Sequence, residues 1–105
     1  MLGEPVMVKN RDEILKIIEE NRNAIRGYGV RRLGLFGSCA RGECNEVSDL
    51  DFVVEFEKKS FDAYMDLKLF LEELFGCQVD LVISDSIKPR LRSVILREAI
   101  HAPGL

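Results

Sequence analysis

The pattern that most limits the possible folds is a strand, a helix and a second strand in immediate succession over residues 49–84. Every second residue is apolar in 49–56, as in a β-strand that buries one face. Apolar residues then recur at every third or fourth position over 60–75, which predicts a helix that ends at Gly76. Residues 77–84 are rich in branched side chains and favour another strand. Because such a unit has a right-handed crossover, its two strands are expected to be parallel and adjacent.

The remaining elements complete an α/β fold in which helices flank a small mixed β-sheet. The apolar spacing predicts a helix over 11–26 and a strand over 30–36, and the segment 38–48 has room for one helical turn. A last helix is expected over 86–100, which gives the order α-β-α-β-α-β-α. The residues expected to cap this helix and to form its buried stripe are Asp85 or Ser86, and then Leu91, Val94, Ile95 and Ala99.

Composition restricts the classes of function. The 105 residues are expected to form a single domain over 1–105, and 18 acidic against 15 basic residues give a net charge of -3. Because binding to phosphate backbones needs clustered basic residues, no direct nucleic-acid binding is expected. No apolar run approaches the roughly 20 residues of a membrane helix, and the N-terminus resembles no signal peptide, so we expect a cytoplasmic protein without membrane contact. The cysteines are expected to be reduced thiols, namely Cys39, Cys44 and Cys77.

Three aspartates are the strongest candidates for chemistry. Asp49 and Asp51 stand two apart on a predicted strand, so their side chains leave one face about 6.5–7 Å apart. Asp80 interrupts the apolar run of the neighbouring strand, where a buried unpaired carboxylate is costly. If the strands align, three negative charges converge in a partly buried site and need protons or cations, and oxygen ligands of this kind suit Mg²⁺. Taken alone, an Asp-x-Asp pair at a strand start is more often a solvated polar surface.

The turn that follows the first predicted strand has the residue types of a phosphate-binding loop. Gly37 allows close backbone approach, and Ser38 offers a hydroxyl and an amide at the start of a helical turn whose free N–H groups would face an anion. Arg41 either adds a charged phosphate contact or pairs with Glu43 or Asp49 on the surface. Gly-Ser turns are also common in ordinary loops, so this turn gains its weight only together with the aspartates.

In combination these residues resemble the signature of the DNA polymerase β-type nucleotidyltransferase superfamily. Within it, the sequence is most similar to the minimal nucleotidyltransferases, the MNT proteins, from about the first helix to about Ala99. The motif residues that carry the resemblance are Gly37-Ser38, Ala40-Arg41-Gly42-Glu43, Ser48-Asp49-Leu50-Asp51 and Asp80. The resemblance implies a polymerase β-like nucleotidyltransferase fold.

The resemblance also implies roles for the aspartates. Asp49 and Asp51 would coordinate two Mg²⁺ ions, and Asp80 would coordinate the catalytic ion and help to activate the acceptor hydroxyl. These roles agree with the chemistry of nucleotidyl transfer, which depends on positioning and charge neutralisation rather than on covalent catalysis by the protein. The expected reaction transfers AMP from ATP to a hydroxyl and releases pyrophosphate.

The same resemblance places the nucleotide at the turn after the first strand. Gly37 and Ser38 would hold the β and γ phosphates of a nucleoside triphosphate. Arg41 is a candidate for a further phosphate contact, and Ser48 is a candidate for supporting the metal-bearing strand. The resemblance thus implies ATP as the substrate and two Mg²⁺ ions as the cofactor.

The acceptor is expected to be a protein. MNT proteins are typically paired with a HEPN-domain ribonuclease toxin. The resemblance therefore implies an antitoxin that adds AMP to the hydroxyl of a tyrosine in that toxin. Two alternatives stay open. The chain could neutralise a toxin by binding alone, with a vestigial nucleotide site, although the three aspartates, Gly37 and Ser38 are all present. It could also modify a small molecule, although the larger enzymes of that kind carry extra helices to enclose one.

Overall fold

The structure is a computed structural model that describes residues 11–37, 40–41, 49–58, 60–101 and 105. Its helices are α1 (Arg11–Glu20), α2 (Arg22–Gly27), α3 (Phe61–Phe75) and α4 (Pro89–Glu98). Its strands are β1 (Val30–Phe36), β2 (Leu50–Phe56), β3 (Val79–Ile83) and β4 (Ile100–His101). A single 3₁₀ turn, Ser84–Ser86, lies between β3 and α4. Within these ranges, none of the helices has the length and apolar character needed to span a bilayer.

The strands form one mixed sheet in the order β3-β2-β1-β4. β2 and β3 are parallel neighbours, whereas β1 pairs antiparallel with β2 on one side and with β4 on the other. The predicted mixed sheet, and the predicted parallel pairing of the second and third strands, are confirmed. The helical turn expected between the first two strands falls largely on 38–39 and 42–48, which lie outside the described residues.

One face of the sheet carries the hydrophobic core. Alternate residues of β1 and β2 pack there with α1, α2 and α3, and these side chains are almost completely buried. The central members of this cluster are Ile14, Ile18, Ile25, Leu33, Leu35, Leu50, Phe52, Val54, Leu67, Leu71 and Leu81. Because strand side chains alternate between faces, the residues between them, including Asp51 and Asp80, leave the sheet on the opposite side.

The crossover helix α3 is fixed at both ends and along its length. The Ser60 hydroxyl accepts a hydrogen bond from the Ala63 backbone at 3.3 Å, which caps the first turn. Gly76 ends the helix with φ 66° and donates its N–H to the Glu72 carbonyl at 2.8 Å. The Tyr64 hydroxyl donates to the Leu81 carbonyl at 2.7 Å, which attaches α3 to β3. The strand–helix–strand unit therefore has the geometry that the sequence predicts.

The helix expected over 11–26 is divided in two at Asn21. Its side-chain amide donates to the Ile17 carbonyl at 2.8 Å and so competes with the backbone for the helical acceptor. The Asn21 backbone lies at φ -109° and ψ 16°, outside the α-helical region, and α2 begins at the next residue. The apolar periodicity continues across this break, which explains why the pattern predicts one helix.

The expectation for the last helix is wrong in two respects. α4 begins at Pro89 after Lys88, so Asp85 and Ser86 belong to the preceding 3₁₀ turn instead of capping the helix. The expected buried stripe is not buried, since Leu91 is 52% and Val94 is 46% exposed and no residue of α4 is classed as buried. Ile95 and Ala99, the members of the stripe near the end of the helix, are half-buried. The physical reason is that α4 meets the sheet at its C-terminal end, where Ala99 lies beside Gly34 of β1, so the start of the stripe stays exposed.

The strand β4 brings the end of α4 against the middle of β1. Gly34 faces His101 in the β1–β4 register, and a Cβ on Gly34 would lie 3.0 Å from His101 Nε2 and 3.1 Å from the Ala99 Cβ. The Ala99 Cβ is attached directly to the backbone and has no rotamer by which to move away. Gly34 is therefore the residue that allows the two strands to approach.

We predict that Gly34→Ala destabilises the fold by about 1–3 kcal/mol, because the added methyl overpacks the β1–β4 contact. Urea unfolding with a circular-dichroism readout measures this change. The matched control is Gly27→Ala, because nothing lies within 4 Å of a Cβ at Gly27. We expect that control to be neutral or slightly stabilising. Equal stability of the two variants would contradict the packing described here.

His101 makes the stability depend on pH. Burial first, and then the charge of Arg32, lower the pKa of His101 below 6.5, while Glu55 acts in the opposite direction. The unfolded chain therefore binds a proton at His101 more readily than the folded chain does. The stability that depends on neutral His101 is fully present above about pH 6.5 and is lost as the pH falls. We predict that, between neutral pH and about pH 5, the free energy of unfolding falls more for the wild type than for His101→Gln. Parallel urea titrations of both proteins provide the test, and identical pH profiles would contradict it.

Candidate active site

Asp51 and Asp80 face each other across the parallel strands β2 and β3. Their Cα atoms are paired in the register, so both side chains leave the same face of the sheet. Asp80 lies close enough to the Asp51 carboxyl group to raise its pKa. The alignment on which the predicted acidic site depends is thus present.

The environment of Asp51 disfavours its ionised form. Its pKa is raised above the usual value of 3.8, first by burial and then by the charge and the hydrogen bond of Asp80. Asp49 raises this pKa further, whereas the positive charge of Arg41 lowers it. A carboxyl group in these surroundings gains from a nearby cation, which offsets the neighbouring negative charges.

Asp49 lies just before β2 and is exposed, as is Asp80. Asp49 is near enough to act on the charge of Asp51. In the described part of the chain, however, no group of three or more His, Cys, Asp or Glu residues is placed to hold a metal ion. The structure therefore brings together Asp51 and Asp80 and leaves Asp49 at their edge. It also places Asp80 in solvent rather than in the interior, because β3 is an edge strand whose polar face is uncovered.

The backbone of the predicted phosphate turn packs directly on this carboxyl pair. Gly37 has φ 81°, a conformation that favours glycine, and a Cβ at this position would collide with the Asp51 carboxylate. The Arg41 N–H donates to the Gly37 carbonyl at 3.2 Å, which is the hydrogen bond of one helical turn. Ala40 is buried, and its carbonyl accepts from Arg11 Nη1 at 3.1 Å. Gly37, Ala40 and Arg41, the described residues of this turn, are therefore held against Asp51 and the core.

Arg41 has a partner that sequence reasoning missed. Its Nη1 donates to Glu98 Oε1 at 3.3 Å, and both side chains are about half exposed. The sequence suggested Glu43 or Asp49 as its partner, and Glu43 lies outside the described residues. Arg11 was also missed, since its contact to Ala40 spans 29 positions. One signal could have pointed to a role for Glu98. It is a glutamate at the C-terminal end of a helix, where the helix dipole disfavours a negative charge.

Two of the predicted nucleotide-binding residues, Ser38 and Ser48, lie outside the described residues, so their roles stay predictions. The same holds for the state of Cys39 and Cys44. Cys77 is a free thiol, as expected, and burial followed by the charges of Asp49 and Glu72 raises its pKa, which keeps it protonated.

The arrangement suits a divalent cation and a phosphate chain. Carboxylate oxygens are the ligands that Mg²⁺ prefers, and two facing carboxyl groups of like charge are stabilised by a cation bound between them. The glycine turn beside the pair leaves the backbone accessible to an anion held by such a cation. The residues present therefore fit the metal that the motifs imply.

Comparison with known proteins agrees with this geometry. The sequence profile described as a nucleotidyltransferase domain matches residues 11–101. A curated relative, the protein adenylyltransferase MntA of Thermococcus cleftensis, is 39% identical over 92 residues, which cover 86% of this chain and 93% of the relative.

Solved structures show the same fold. A protein provisionally described as a minimal nucleotidyltransferase superposes with a TM-score of 0.69 at 43% identity, over 82% of this chain and 93% of the other. A chain of a solved complex, described as a tri-AMPylated HEPN toxin of Shewanella oneidensis with an MNT antitoxin, superposes with a TM-score of 0.62. That match has 20% identity over 87% of this chain and 73% of the other, and at this identity it concerns the fold alone.

The resemblance drawn from the sequence motifs is thus confirmed by the family profile, by the relative and by the fold. The chain belongs to the nucleotidyltransferase domain family and is a minimal nucleotidyltransferase.

Proposed function

We propose that this chain transfers AMP from ATP to a hydroxyl group of a partner protein and thereby acts as an antitoxin. The observation that carries the proposal is the paired register of Asp51 and Asp80, with the Gly37 turn packed against Asp51. The two carboxyl groups and the Gly37 turn lie together at one end of the sheet, where we propose that a divalent cation and a phosphate chain bind. The name of the Thermococcus relative supports AMP as the group that is transferred and a protein as its acceptor.

The aspartates hold Mg²⁺ in this proposal. Asp51 and Asp80 provide oxygens from neighbouring strands, and Asp49 completes the set from the residue before β2. Two bound Mg²⁺ ions would supply charge neutralisation at the phosphates of ATP. Asp80 is the more exposed of the two facing aspartates, and we propose that it accepts the proton of the acceptor hydroxyl. The hydroxyl oxygen of the acceptor then forms a bond to the α phosphorus of ATP. The bond between the α phosphorus and the oxygen that bridges it to the β phosphate breaks, and pyrophosphate leaves.

The turn at Gly37 holds the departing phosphates. We propose that backbone N–H groups of the turn face the phosphates and that Ser38 adds its hydroxyl. Arg41 is proposed to contribute a charged contact, and Ser48 to support the strand that carries Asp49. Buried Ala40 and the Arg11 hydrogen bond fix this turn relative to the core, so that the phosphates are positioned by rigid backbone.

The acceptor is proposed to be a tyrosine of a HEPN-family ribonuclease toxin. The described domain has few elements with which to enclose a separate substrate, so the acceptor must contribute its own binding surface. The Shewanella complex, described as a tri-AMPylated HEPN toxin with an MNT antitoxin, supplies an example of such a pair among proteins of this fold. Neutralisation by binding alone, and modification of a small molecule, are the outcomes that the experiment below distinguishes.

We predict that Asp51→Asn and Asp80→Asn each lower the rate of AMP transfer by about 100-fold or more, because each removes a charged oxygen ligand of the Mg²⁺ ions that would neutralise the phosphates. The assay incubates each variant with ATP, Mg²⁺ and a HEPN-family protein as the candidate partner, and records the mass of that protein. Steps of one AMP should appear with the wild type and disappear when EDTA removes the metal. Asp66→Asn, on the exposed face of α3, is the matched control and should retain the wild-type rate.

Three results would contradict this proposal in different ways. Equal modification by Asp51→Asn would remove the aspartates from the mechanism. An unmodified partner that nevertheless binds tightly would favour neutralisation by occlusion. AMP transfer to a small hydroxyl compound, with none to the protein, would favour a small-molecule nucleotidyltransferase.

We predict that Gly37→Ala lowers the affinity for ATP with Mg²⁺ by about tenfold or more, because the added methyl displaces the turn from Asp51. The matched control is Gly29→Ala, which has a similar φ of 87° but no atom within 4 Å of an added Cβ. Both variants should lose about 1–2 kcal/mol of stability from backbone strain. Only Gly37→Ala should weaken binding in calorimetric titration, and a similar loss in both variants would show that strain alone is responsible.

A further inference from the structure

Glu98 lies beside the phosphate turn, although it is 57 positions from Arg41 and outside the motif residues. It is the last residue of α4, and the next residues lead into β4, which pairs with β1 at Gly34 and Leu35. β1 ends at Phe36, directly before the turn. The pairing of β4 with β1 therefore brings the end of α4 to the turn, where the Glu98 carboxylate meets the Arg41 guanidinium at 3.3 Å.

Glu98 is in an unfavourable place for the helix itself. The C-terminal end of an α-helix carries a partial negative charge, so an acidic side chain in the last turn is disfavoured. Arg97, the neighbouring residue, has the favourable sign for this end. A residue that conflicts with its local environment is expected to have a compensating role elsewhere in the fold. In this structure the compensating contact is with Arg41.

The position of Arg41 matters for the carboxyl pair. Its positive charge acts on Asp51 even while its guanidinium is bonded to Glu98. An arginine side chain has several rotatable bonds, and fixing them costs entropy when it binds an anion. A carboxylate that holds the guanidinium beforehand reduces that cost, provided that it holds the group on the side from which phosphate approaches.

We propose that Glu98 is a positioning residue that holds Arg41 ready for the phosphates of the nucleotide. The inference rests on the proposed function, since it assigns the phosphate contact to Arg41. Under this inference, removal of the Glu98 carboxylate changes the affinity for the nucleotide in the direction opposite to that expected from charge repulsion alone. A carboxylate near a triphosphate weakens binding through space, so its removal would tighten binding, whereas loss of a positioning contact weakens binding.

The test measures the affinity for ATP with Mg²⁺ by isothermal titration calorimetry, without any acceptor present. Glu98→Ala should weaken binding by roughly two- to fivefold, the range expected for an exposed ion pair. Glu98→Gln keeps an oxygen that can accept from Arg41 and should recover part of the loss. Glu73→Ala, which removes one exposed negative charge on α3, is the matched control and should not weaken binding.

A double-mutant cycle shows whether Glu98 acts through Arg41. Arg41→Ala should weaken binding by about tenfold or more, since it removes a charge-assisted hydrogen bond. Arg41→Ala with Glu98→Ala should bind no more weakly than Arg41→Ala alone, because the residue that Glu98 positions is already gone. Thermal unfolding of each variant confirms that all of them are folded at the titration temperature.

The outcomes separate this inference from the proposed function. If the wild type binds ATP with Mg²⁺ while Glu98→Ala binds equally or more tightly, the positioning role is overturned and the proposed function stands. An equal effect of Glu98→Ala in the presence and absence of Arg41 also overturns it, since Glu98 would then act by another route. If the wild type does not bind the nucleotide, both the proposed function and this inference are overturned.

Discussion

The contact between the carboxyl groups of Asp51 and Asp80 is the constraint on which the site depends. It exists only while β2 and β3 are paired in one register, and that register is fixed from the opposite face of the sheet. There Phe52 and Leu81, the next residues of the two strands, are paired with each other and buried in the core. A shift of one residue would exchange the faces and bury a carboxyl group. The hydrophobic core therefore determines the position of the polar site.

This arrangement has an electrostatic cost that the fold sustains. Burial and a facing carboxyl group raise the pKa of Asp51, so its ionised form is disfavoured in the absence of a cation. The contacts that oppose separation of the two strands lie outside the pair. The Tyr64 hydroxyl attaches α3 to β3 at Leu81, and Gly37 packs against Asp51 from the end of β1. A cation bound by both carboxylates would relieve their repulsion without moving the strands. A site of this kind is organised before its ligand arrives, which is what nucleotidyl transfer requires.

The parts of the fold that the sequence predicted are those with a clear period or a specific local signal. The alternation over β2, the helical spacing of α3 and its terminal Gly76 predicted the crossover unit, and with it the alignment of Asp51 and Asp80. The two residues of β4 are too few to show a period, so this strand could not be predicted. The break at Asn21 depends on a side-chain hydrogen bond that the apolar spacing does not report. Arg41 and Glu98 meet only because β4 pairs with β1, so their contact was beyond sequence reasoning.

The last helix shows why an apolar stripe can mislead. Leu91 and Val94 have helical spacing, yet a stripe predicts burial only if the helix packs along its whole length. α4 is instead attached at its C-terminal end, through β4 and the Arg41–Glu98 pair, and its first turns bury little apolar surface. Because local stability follows buried apolar contacts, we expect a lower free energy of local opening for α4 than for the strands. The element that contacts the phosphate turn is thus held by directed polar and backbone contacts near the site. The Arg41 side chain therefore depends on a few such contacts, whereas its backbone follows the buried Ala40.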